Sequence, residues 1–232
     1  MGTWYRAVRA VASGALKALL TREVRGIAHV PAQGGVIVAS NHGSFWDPPV
    51  LGIVLPRPLR YMTRASFFSL PLFGALIRSL GAFPVRKGTA DLSGLRAAEA
   101  ALARGEVLLV FPEGGRMKDG RLHPALPGLG LLVARTRAPV VPVYVSGTNR
   151  IRRCMVRREK VRVTVGKVLP PETWEGREAS TLAGRALYQA ISDRVMQEIA
   201  LLKQQEETTR SGVAPATTTS QRAGSHERGG ST

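Results

Sequence analysis

Apolar and polar residues alternate along this chain in blocks that predict strands separated by helices. Short apolar runs typical of strands lie at 24–30, 35–40, 59–63, 81–86, 107–111, 140–145 and 161–165. Stretches with helical spacing lie at 66–80, 91–104, 130–137 and 178–202. This alternation predicts an α/β fold, a single domain with a largely parallel or mixed central sheet flanked by helices.

Residues 3–20 have the pattern of an amphipathic N-terminal helix. One side carries Trp4, Val8, Val11, Ala15 and Leu19. The other side carries Arg6, Arg9, Ser13 and Lys17. A basic amphipathic helix with an aromatic residue near its end fits a membrane surface, and packing on the chain's own domain is the alternative. We expect residues 1–22 to be a membrane-associating helix that precedes the folded domain at 23–203.

Two further segments have a distinctive composition. Residues 66–80 are dense in Phe and Leu, but they are too few to cross a bilayer as one helix. They predict either core helices or a surface that meets lipid or an acyl chain. Residues 204–232 are rich in Thr, Ser, Gly and Ala and have almost no apolar residues, which predicts a disordered tail.

The charge of the chain narrows the choice of partner. The 33 Lys and Arg residues against 16 Asp and Glu give a net charge of +17, which indicates a polyanion: nucleic acid, anionic lipid or a phosphorylated substrate. Residues 150–162 hold seven basic residues and one acid, without the interleaved aromatic residues that stack on bases. The single cysteine, Cys154, excludes an internal disulfide and a cysteine-based metal site.

A histidine and an aspartate, five positions apart, follow the predicted strand at 35–40. The spacing between His42 and Asp47 does not suit one face of a helix, but it suits a turn, because Gly43 relaxes the backbone and Pro48 favours an extended conformation before it. A carboxylate that contacts an imidazole fixes its tautomer and makes it a better proton acceptor. The alternative is that Asp47 caps a helix beginning at Pro48.

Polar residues follow two other predicted strands in the same way. Arg86 ends the strand at 81–86, and Glu113 and Arg116 follow the strand at 107–111. Ligands of α/β sheets bind outside the carboxyl ends of strands, so these loops are expected to line one crevice with His42. Each arginine offers a planar donor fork suited to phosphate, and Gly114 and Gly115 let a ligand approach the backbone.

These motifs occur in the order found in a known family. The segments are Asn41-His42-x4-Asp47, then Gly81-Ala82-Phe83-Pro84-Val85-Arg86, then Phe111-Pro112-Glu113-Gly114-Gly115-Arg116, and then Val141-Pro142-Val143. Over roughly residues 20–170 the chain resembles the glycerolipid acyltransferases. In particular, it resembles the 1-acylglycerol-3-phosphate acyltransferases, which make phosphatidic acid.

The resemblance implies a role for each matching residue. His42 would be the general base that takes the proton of a glycerol hydroxyl, and Asp47 would hold and polarise it. The implied substrate-binding residues are Asn41, Arg86, Glu113, Gly114, Gly115 and Arg116. The implied co-substrate is acyl-CoA or an acyl-carrier protein, with no metal and no prosthetic group. The enzyme would be peripheral, on the cytoplasmic side of the cell membrane and in contact with its anionic surface.

Two departures from the family pattern leave the acceptor open. The family usually has Thr or Ser where Gly115 stands, and it often has a lysine after the third motif, where this chain has Ala125-Leu126-Pro127-Gly128. Both changes remove donors near the expected phosphate site. A different lyso-lipid or another alcohol therefore remains possible as the acceptor.

Three other functions compete with acyl transfer. A serine hydrolase with a Gly-x-Ser-x-Gly elbow is excluded, because the chain contains no such motif. A metal site built from His42, Asp47, Glu113 and His123 is chemically conceivable. The basic charge also permits a nucleic-acid-binding protein, although no binding module is recognisable. The sequence leaves the oligomeric state open.

Overall fold

The computed structural model describes residues 3–19, 21–86, 91–174 and 183–211. In this part of the chain seven strands form one sheet in the order β1-β7-β6-β2-β5-β3-β4. The strands are β1 (Arg22–Arg25), β2 (Val36–Ser40), β3 (Leu59–Arg64), β4 (Ala82–Val85), β5 (Val107–Val110), β6 (Val140–Ser146) and β7 (Val161–Val165). The α-helices are α1 (Thr3–Leu19), α2 (Asp47–Val54), α3 (Pro71–Ser79), α4 (Leu92–Ala103), α5 (Gly128–Thr136), α6 (Ile151–Met155) and α7 (Gly184–Ser211).

The sheet is mixed, which confirms the predicted fold class. Strands β2, β3, β4, β5 and β6 run parallel to one another, whereas β7 is antiparallel to β6 and β1 is parallel to β7. The carboxyl ends of five strands therefore lie at one edge of the sheet, together with the start of β7. We call this edge the carboxyl edge.

The core lies on both faces of the sheet, and β2 shows why. All five of its residues are buried. Val36 and Val38 pack on the face that α2 covers, and Ile37 and Ala39 pack on the face covered by α4, α5 and α7. A strand buried on both faces requires a continuous apolar run rather than an alternating one, which is the pattern that the sequence has.

The last helix extends further than the sequence predicts. The predicted helix ends at Leu202, but α7 continues to Ser211. One turn beyond Leu202, the carboxylate of Glu206 is buried and accepts hydrogen bonds from the Ser146 hydroxyl at 2.7 and 2.9 Å. Glu206 thus continues the line of buried residues along α7. The first eight residues of the predicted tail are therefore helical and not disordered. Residues 212–232 lie outside the described residues, as do residues 175–182, which include the first five residues of the predicted helix.

Helix α1 packs on the domain through a face that includes a basic residue. Tyr5 is buried, and the Arg9 guanidinium donates to the carbonyl of Leu55 at the end of α2. The carbonyls at the end of a helix lack partners within the helix, which explains why a cation is drawn there. The sequence assigned Arg9 to the polar side of the helix, and in the structure this residue contacts the domain. Trp4 and Val11 remain exposed, at 60% and 75%.

Apolar side chains are also exposed on and beside α3. The Trp4 indole nitrogen donates to the Ser79 hydroxyl at 3.2 Å, which places α1 next to α3. We define the apolar surface as five exposed apolar side chains, one at the start of α1 and four on or beside α3: Trp4, Leu70, Leu72, Phe73 and Leu76. No helix within the described ranges combines the length and the apolar content that a membrane crossing needs.

The contact between α5 and α7 leads to a prediction about stability. A Cβ atom on Gly130 would lie 1.8 Å from the carbonyl oxygen of Tyr188, whereas a Cβ atom on Gly128, in the same helix, would have no neighbour within 4 Å. Gly130→Ala should therefore lower the free energy of unfolding by about 1–3 kcal/mol through overpacking. Gly128→Ala should change it by less than about 1 kcal/mol. Urea unfolding measures both, and equal effects would contradict the packing.

Candidate active site

The structure brings His42 and Asp47 into direct contact. His42 Nδ1 lies 2.9 Å from Asp47 Oδ2, and the Asp47 side chain is 1% exposed. Asp47 is also the first residue of α2, so the helix starts one residue before Pro48, where the alternative placed its start. Its carboxylate does not cap that helix, however. It turns back and accepts hydrogen bonds from the backbone N–H groups of Gly43 at 2.9 Å and Ser44 at 2.8 Å.

A second strand end completes the environment of the carboxylate. The Thr148 hydroxyl, in the loop after β6, donates to Asp47 Oδ1 at 2.5 Å, and the Thr148 carbonyl accepts from the Ser44 hydroxyl at 3.0 Å. An ionised carboxylate only accepts hydrogen bonds, so its partner, His42 Nδ1, must be the donor. The imidazole is then held in one tautomer, with Nε2 unprotonated and able to accept a proton.

The loop after β5 holds the histidine from the other side. The imidazole stacks on the Phe111 ring, with centroids 4.0 Å apart and planes 16° from parallel. Glu113 accepts from the backbone N–H groups of His42 at 2.9 Å and His123 at 3.1 Å. Burial raises the pKa of the Glu113 carboxyl, and these two hydrogen bonds oppose the rise. Since Glu113 is 5% exposed, the structure shows it as a support of the loop, and its predicted contact with substrate stays a prediction.

Asn41 also has partners within the protein. Its side-chain amide donates to the Val145 carbonyl at 3.0 Å, and its side-chain oxygen accepts from the Val145 N–H at 2.8 Å. These two bonds join the residue after β2 to β6 in the same way as a further pair of backbone hydrogen bonds between the strands. Substrate binding by Asn41 likewise stays a prediction.

Gly114 and Arg116 lie near the loop at 41–46 between β2 and α2, which we call the histidine loop. Gly114 has a φ of +68°, and a Cβ atom there would lie 2.3 Å from the Leu126 side chain, so the turn requires glycine. Arg116 places its guanidinium 3.6 Å from the centroid of the Phe45 ring. The next residue, Met117, donates its N–H to the His42 carbonyl at 2.7 Å. Arg116 is therefore brought to the histidine loop, as predicted.

Arg86 lies further away, and another arginine takes the nearer position. Arg86 follows β4, three strands from β2, a separation of about 14 Å at the usual strand spacing. Its backbone N–H donates to Asp91. Arg64, at the end of β3, has its guanidinium beside Gly115, 3.6 Å from where a Cβ atom would stand. Arg116 and Arg64 are thus the arginines found next to Phe45 and Gly115, whereas the backbone of Arg86 lies three strands from β2.

The four side chains considered as metal ligands have other partners. Glu113 faces backbone amides, and the His123 ring pairs with Asp119 at 2.8 Å. Across the described ranges, no three His, Cys, Asp or Glu side chains come together in an arrangement that would hold a metal ion.

Comparison with known proteins agrees with this geometry. A family model described as Acyltransferase matches residues 21–146, more than half of the chain. The chain belongs to the acyltransferase family. The matched range includes His42, Asp47 and the Glu113–Arg116 turn, whereas Thr148 lies two residues beyond its end.

Similar proteins include two 1-acyl-sn-glycerol-3-phosphate acyltransferases. The 1-acyl-sn-glycerol-3-phosphate acyltransferase BAT2 of Brassica napus chloroplasts is 30% identical over 132 residues, covering 56% of this chain and 38% of its own length. A Bacillus subtilis 1-acyl-sn-glycerol-3-phosphate acyltransferase is 25% identical over 142 residues, covering 61% and 70%. The chain therefore spans well under half of the plant relative and about two thirds of the bacterial one.

A solved structure of an acyltransferase shows the same fold. The 1-acyl-sn-glycerophosphate acyltransferase PlsC of Thermotoga maritima superposes with a TM-score of 0.65 at 20% identity, covering 87% of this chain and 79% of its own. At that identity the likeness concerns the fold alone.

Two residues of the site were not found from the sequence. Arg64 is the last residue of β3 and Thr148 comes two residues after β6, so both lie at strand ends, which is the signal that identified His42 and Arg86. Applied to every strand end, that signal would have included them. It would not have shown which of the loops are adjacent, because the strand order depends on long-range pairing.

The Thr148 hydroxyl should contribute measurably to the stability of this acyltransferase domain. Thr148→Val keeps the shape but leaves Asp47 Oδ1 without its donor, and we expect the free energy of unfolding to fall by about 1.5–3 kcal/mol, as for hydrogen bonds to charged groups. Thr148→Ser keeps the hydroxyl and should lose less than half as much. Urea unfolding of the two variants makes the comparison, and equal stability of Thr148→Val and the wild type would contradict the hydrogen bond.

Proposed function

We propose that this protein transfers a fatty acyl group from a thioester donor to the free hydroxyl of a lysophospholipid. The proposed acceptor is 1-acylglycerol-3-phosphate, and the product is phosphatidic acid. The donor is acyl-CoA or an acyl-carrier protein. The observation that carries the proposal is the buried Asp47 carboxylate on His42 Nδ1, which leaves His42 Nε2 as a proton acceptor. The names of the relatives support the choice of substrate.

In the proposed reaction, His42 is the general base. Nε2 takes the proton of the acceptor hydroxyl as its oxygen attacks the thioester carbonyl carbon. A carbon–oxygen bond forms, the carbon–sulfur bond breaks, and the proton passes from the imidazolium to the departing thiolate. Asp47 stabilises the imidazolium while it exists. General-base assistance contributes roughly a hundred- to ten-thousand-fold, so orientation and charge stabilisation supply the rest.

Guanidinium groups would bind the phosphate of the acceptor. Arg116 lies over the histidine loop, and Arg64 lies beside Gly115, so both reach the crevice from β5 and β3. Arginine suits this role because its planar fork matches two phosphate oxygens. Arg86 is the more distant third candidate. Gly115 adds no hydroxyl to this site, and acylation of a different lyso-lipid therefore remains the alternative.

The protein is proposed to act as a peripheral enzyme on the cytoplasmic side of a membrane. The apolar surface on α1 and α3 exposes large side chains, with Leu72 89% accessible, and the chain carries a charge of +17. Exposed apolar residues combined with basic charge favour an anionic lipid surface. An acceptor that resides in the bilayer would then reach the crevice without leaving the lipid.

Replacing the proposed base tests the reaction. With radiolabelled acyl-CoA and a panel of lyso-lipids, His42→Ala should lower kcat by about 100-fold or more for the preferred acceptor, because the proton acceptor is lost. His123→Ala is the matched control, since it removes the ring of a second, exposed histidine–aspartate pair. It should keep kcat within about threefold of the wild type.

Several outcomes would contradict the proposal. Full activity of His42→Ala, or an absence of acyl transfer by the wild type to every lyso-lipid, would exclude the mechanism. A trapped acyl-enzyme with ping-pong kinetics would replace direct transfer with a covalent route. Preference for another lyso-lipid would keep acyl transfer but correct the acceptor.

Membrane contact has its own test. Leu72→Asp places a charge in the apolar surface and should weaken co-sedimentation with anionic vesicles by about tenfold or more, because burying a charge in apolar lipid is costly. Leu92→Asp, at an exposed leucine of α4 outside this surface, is the control and should bind as the wild type does. Equal loss in both variants would indicate a charge effect without insertion.

A further inference from the structure

A cavity lined by basic side chains lies beside the candidate active site. It has a volume of about 370 Å³, and its lining includes the acid Glu159. Its basic lining residues are Arg150, Arg158, Lys160, Arg162 and Arg210. We call this feature the basic cavity.

The basic cavity opens at the same edge of the sheet as His42. Because β7 is antiparallel to β6, its first residues lie at the carboxyl edge, where Arg162 pairs with Ser146 at the end of β6. Strand β6 is the neighbour of β2, so Arg162 is two strands from β2, about 10 Å. Thr148, which hydrogen-bonds Asp47, precedes Arg150 by two residues. The cavity and the His42–Asp47 pair therefore share one loop.

Three acids near the cavity, Glu159, Glu23 and Glu206, balance only part of the charge of its five cations. Glu159 accepts from Arg150 at 3.2 Å and from Arg153 at 3.1 Å. Glu23 lies 3.6 Å from Arg162 and also pairs with Arg25. Five cations around one small cavity repel one another, and a bound polyanion would relieve that repulsion.

We propose that the basic cavity binds the phosphorylated nucleotide end of coenzyme A. This inference rests on the proposed function, because it concerns the donor of the same reaction. Acyl-CoA has an apolar chain at one end and a polyanion at the other, with the thioester between them. The apolar surface lies on the β3–β4 side of His42, and the basic cavity lies on the β6–β7 side. A donor that spans these two surfaces has its thioester beside the histidine.

The shape of the site favours a small ligand over a carrier protein. A volume of about 370 Å³ falls in the range of small-molecule pockets, and arginine forks suit phosphate groups. Docking of an acidic carrier protein would need a contact of about 800 Å² on each partner. A cavity of this volume is the less suitable surface for such a contact.

Removal of two cavity cations tests the assignment directly. The double variant Arg158→Ala, Lys160→Ala should bind radiolabelled coenzyme A about 10- to 100-fold more weakly in equilibrium dialysis, without acceptor lipid. Its KM for acyl-CoA should rise by a similar factor, while its KM for the lysophospholipid stays unchanged. Wild-type protein should prefer coenzyme A to 3′-dephospho-coenzyme A, and the variant should lose much of this preference.

The controls separate position from charge. Arg104→Ala with Arg135→Ala removes two exposed arginines near the opposite edge of the sheet, where α4 and α5 end, and should bind coenzyme A as the wild type does. Arg158→Lys with Lys160→Arg keeps the charge and should retain most of the binding. Thermal unfolding establishes that each variant is folded.

The possible outcomes distinguish this inference from the proposed function. Unchanged coenzyme A binding by the alanine variant would overturn the inference even if His42→Ala abolished turnover. Loss of carrier-protein, DNA or anionic-vesicle binding with coenzyme A binding intact would also overturn it and assign the cavity to that partner. Coenzyme A binding that depends on the cavity, in a protein without acyl transfer, would support the inference and refute the proposed reaction.

Discussion

The arrangement of the candidate site depends on one buried carboxylate. Asp47 accepts hydrogen bonds from the His42 ring, two backbone N–H groups and the Thr148 hydroxyl, so it cannot rotate without losing several of them. A charge buried to this degree is tolerated only when it is surrounded by donors. Because this carboxylate only accepts hydrogen bonds, it also determines which nitrogen of His42 carries a proton. The orientation of the His42 ring and the stability of the loop therefore come from one set of contacts.

The sheet order makes these contacts possible. Strand β2 lies between β5 and β6, and the loops after all three strands meet around His42. Phe111 and Glu113 come from β5, and Thr148 comes from β6. The reversed strand β7 then brings a basic segment to the same edge. A thioester donor with an apolar chain and an anionic head would meet a matching surface on each side of the histidine.

Much of this was predictable from the sequence, and the exceptions have a common physical cause. The α/β class, six of the seven strand positions and the His42–Asp47 contact follow from apolar runs and local turn chemistry, which act over a few residues. The strand predicted at 24–30 is wrong in its bounds, because β1 is Arg22–Arg25 and Ile27–His29 form a 3-10 helix. Arg64 rather than Arg86 lies near Gly115 because β3 lies between β5 and β4 in the sheet. The support given by Asn41 and Glu113 depends on backbone groups of other loops, and the extension of α7 depends on Ser146 meeting Glu206. These are long-range contacts that no local pattern records.

The tautomer of His42 tests the central claim most directly. In protein labelled with ¹⁵N-histidine, at a pH where the His42 ring is neutral, nitrogen chemical shifts and one-bond couplings report which ring nitrogen carries the proton. A buried Asp47 carboxylate acting as acceptor predicts a protonated Nδ1 and a free Nε2. A proton on Nε2 would contradict the account, because the group assigned to accept the proton would already hold one.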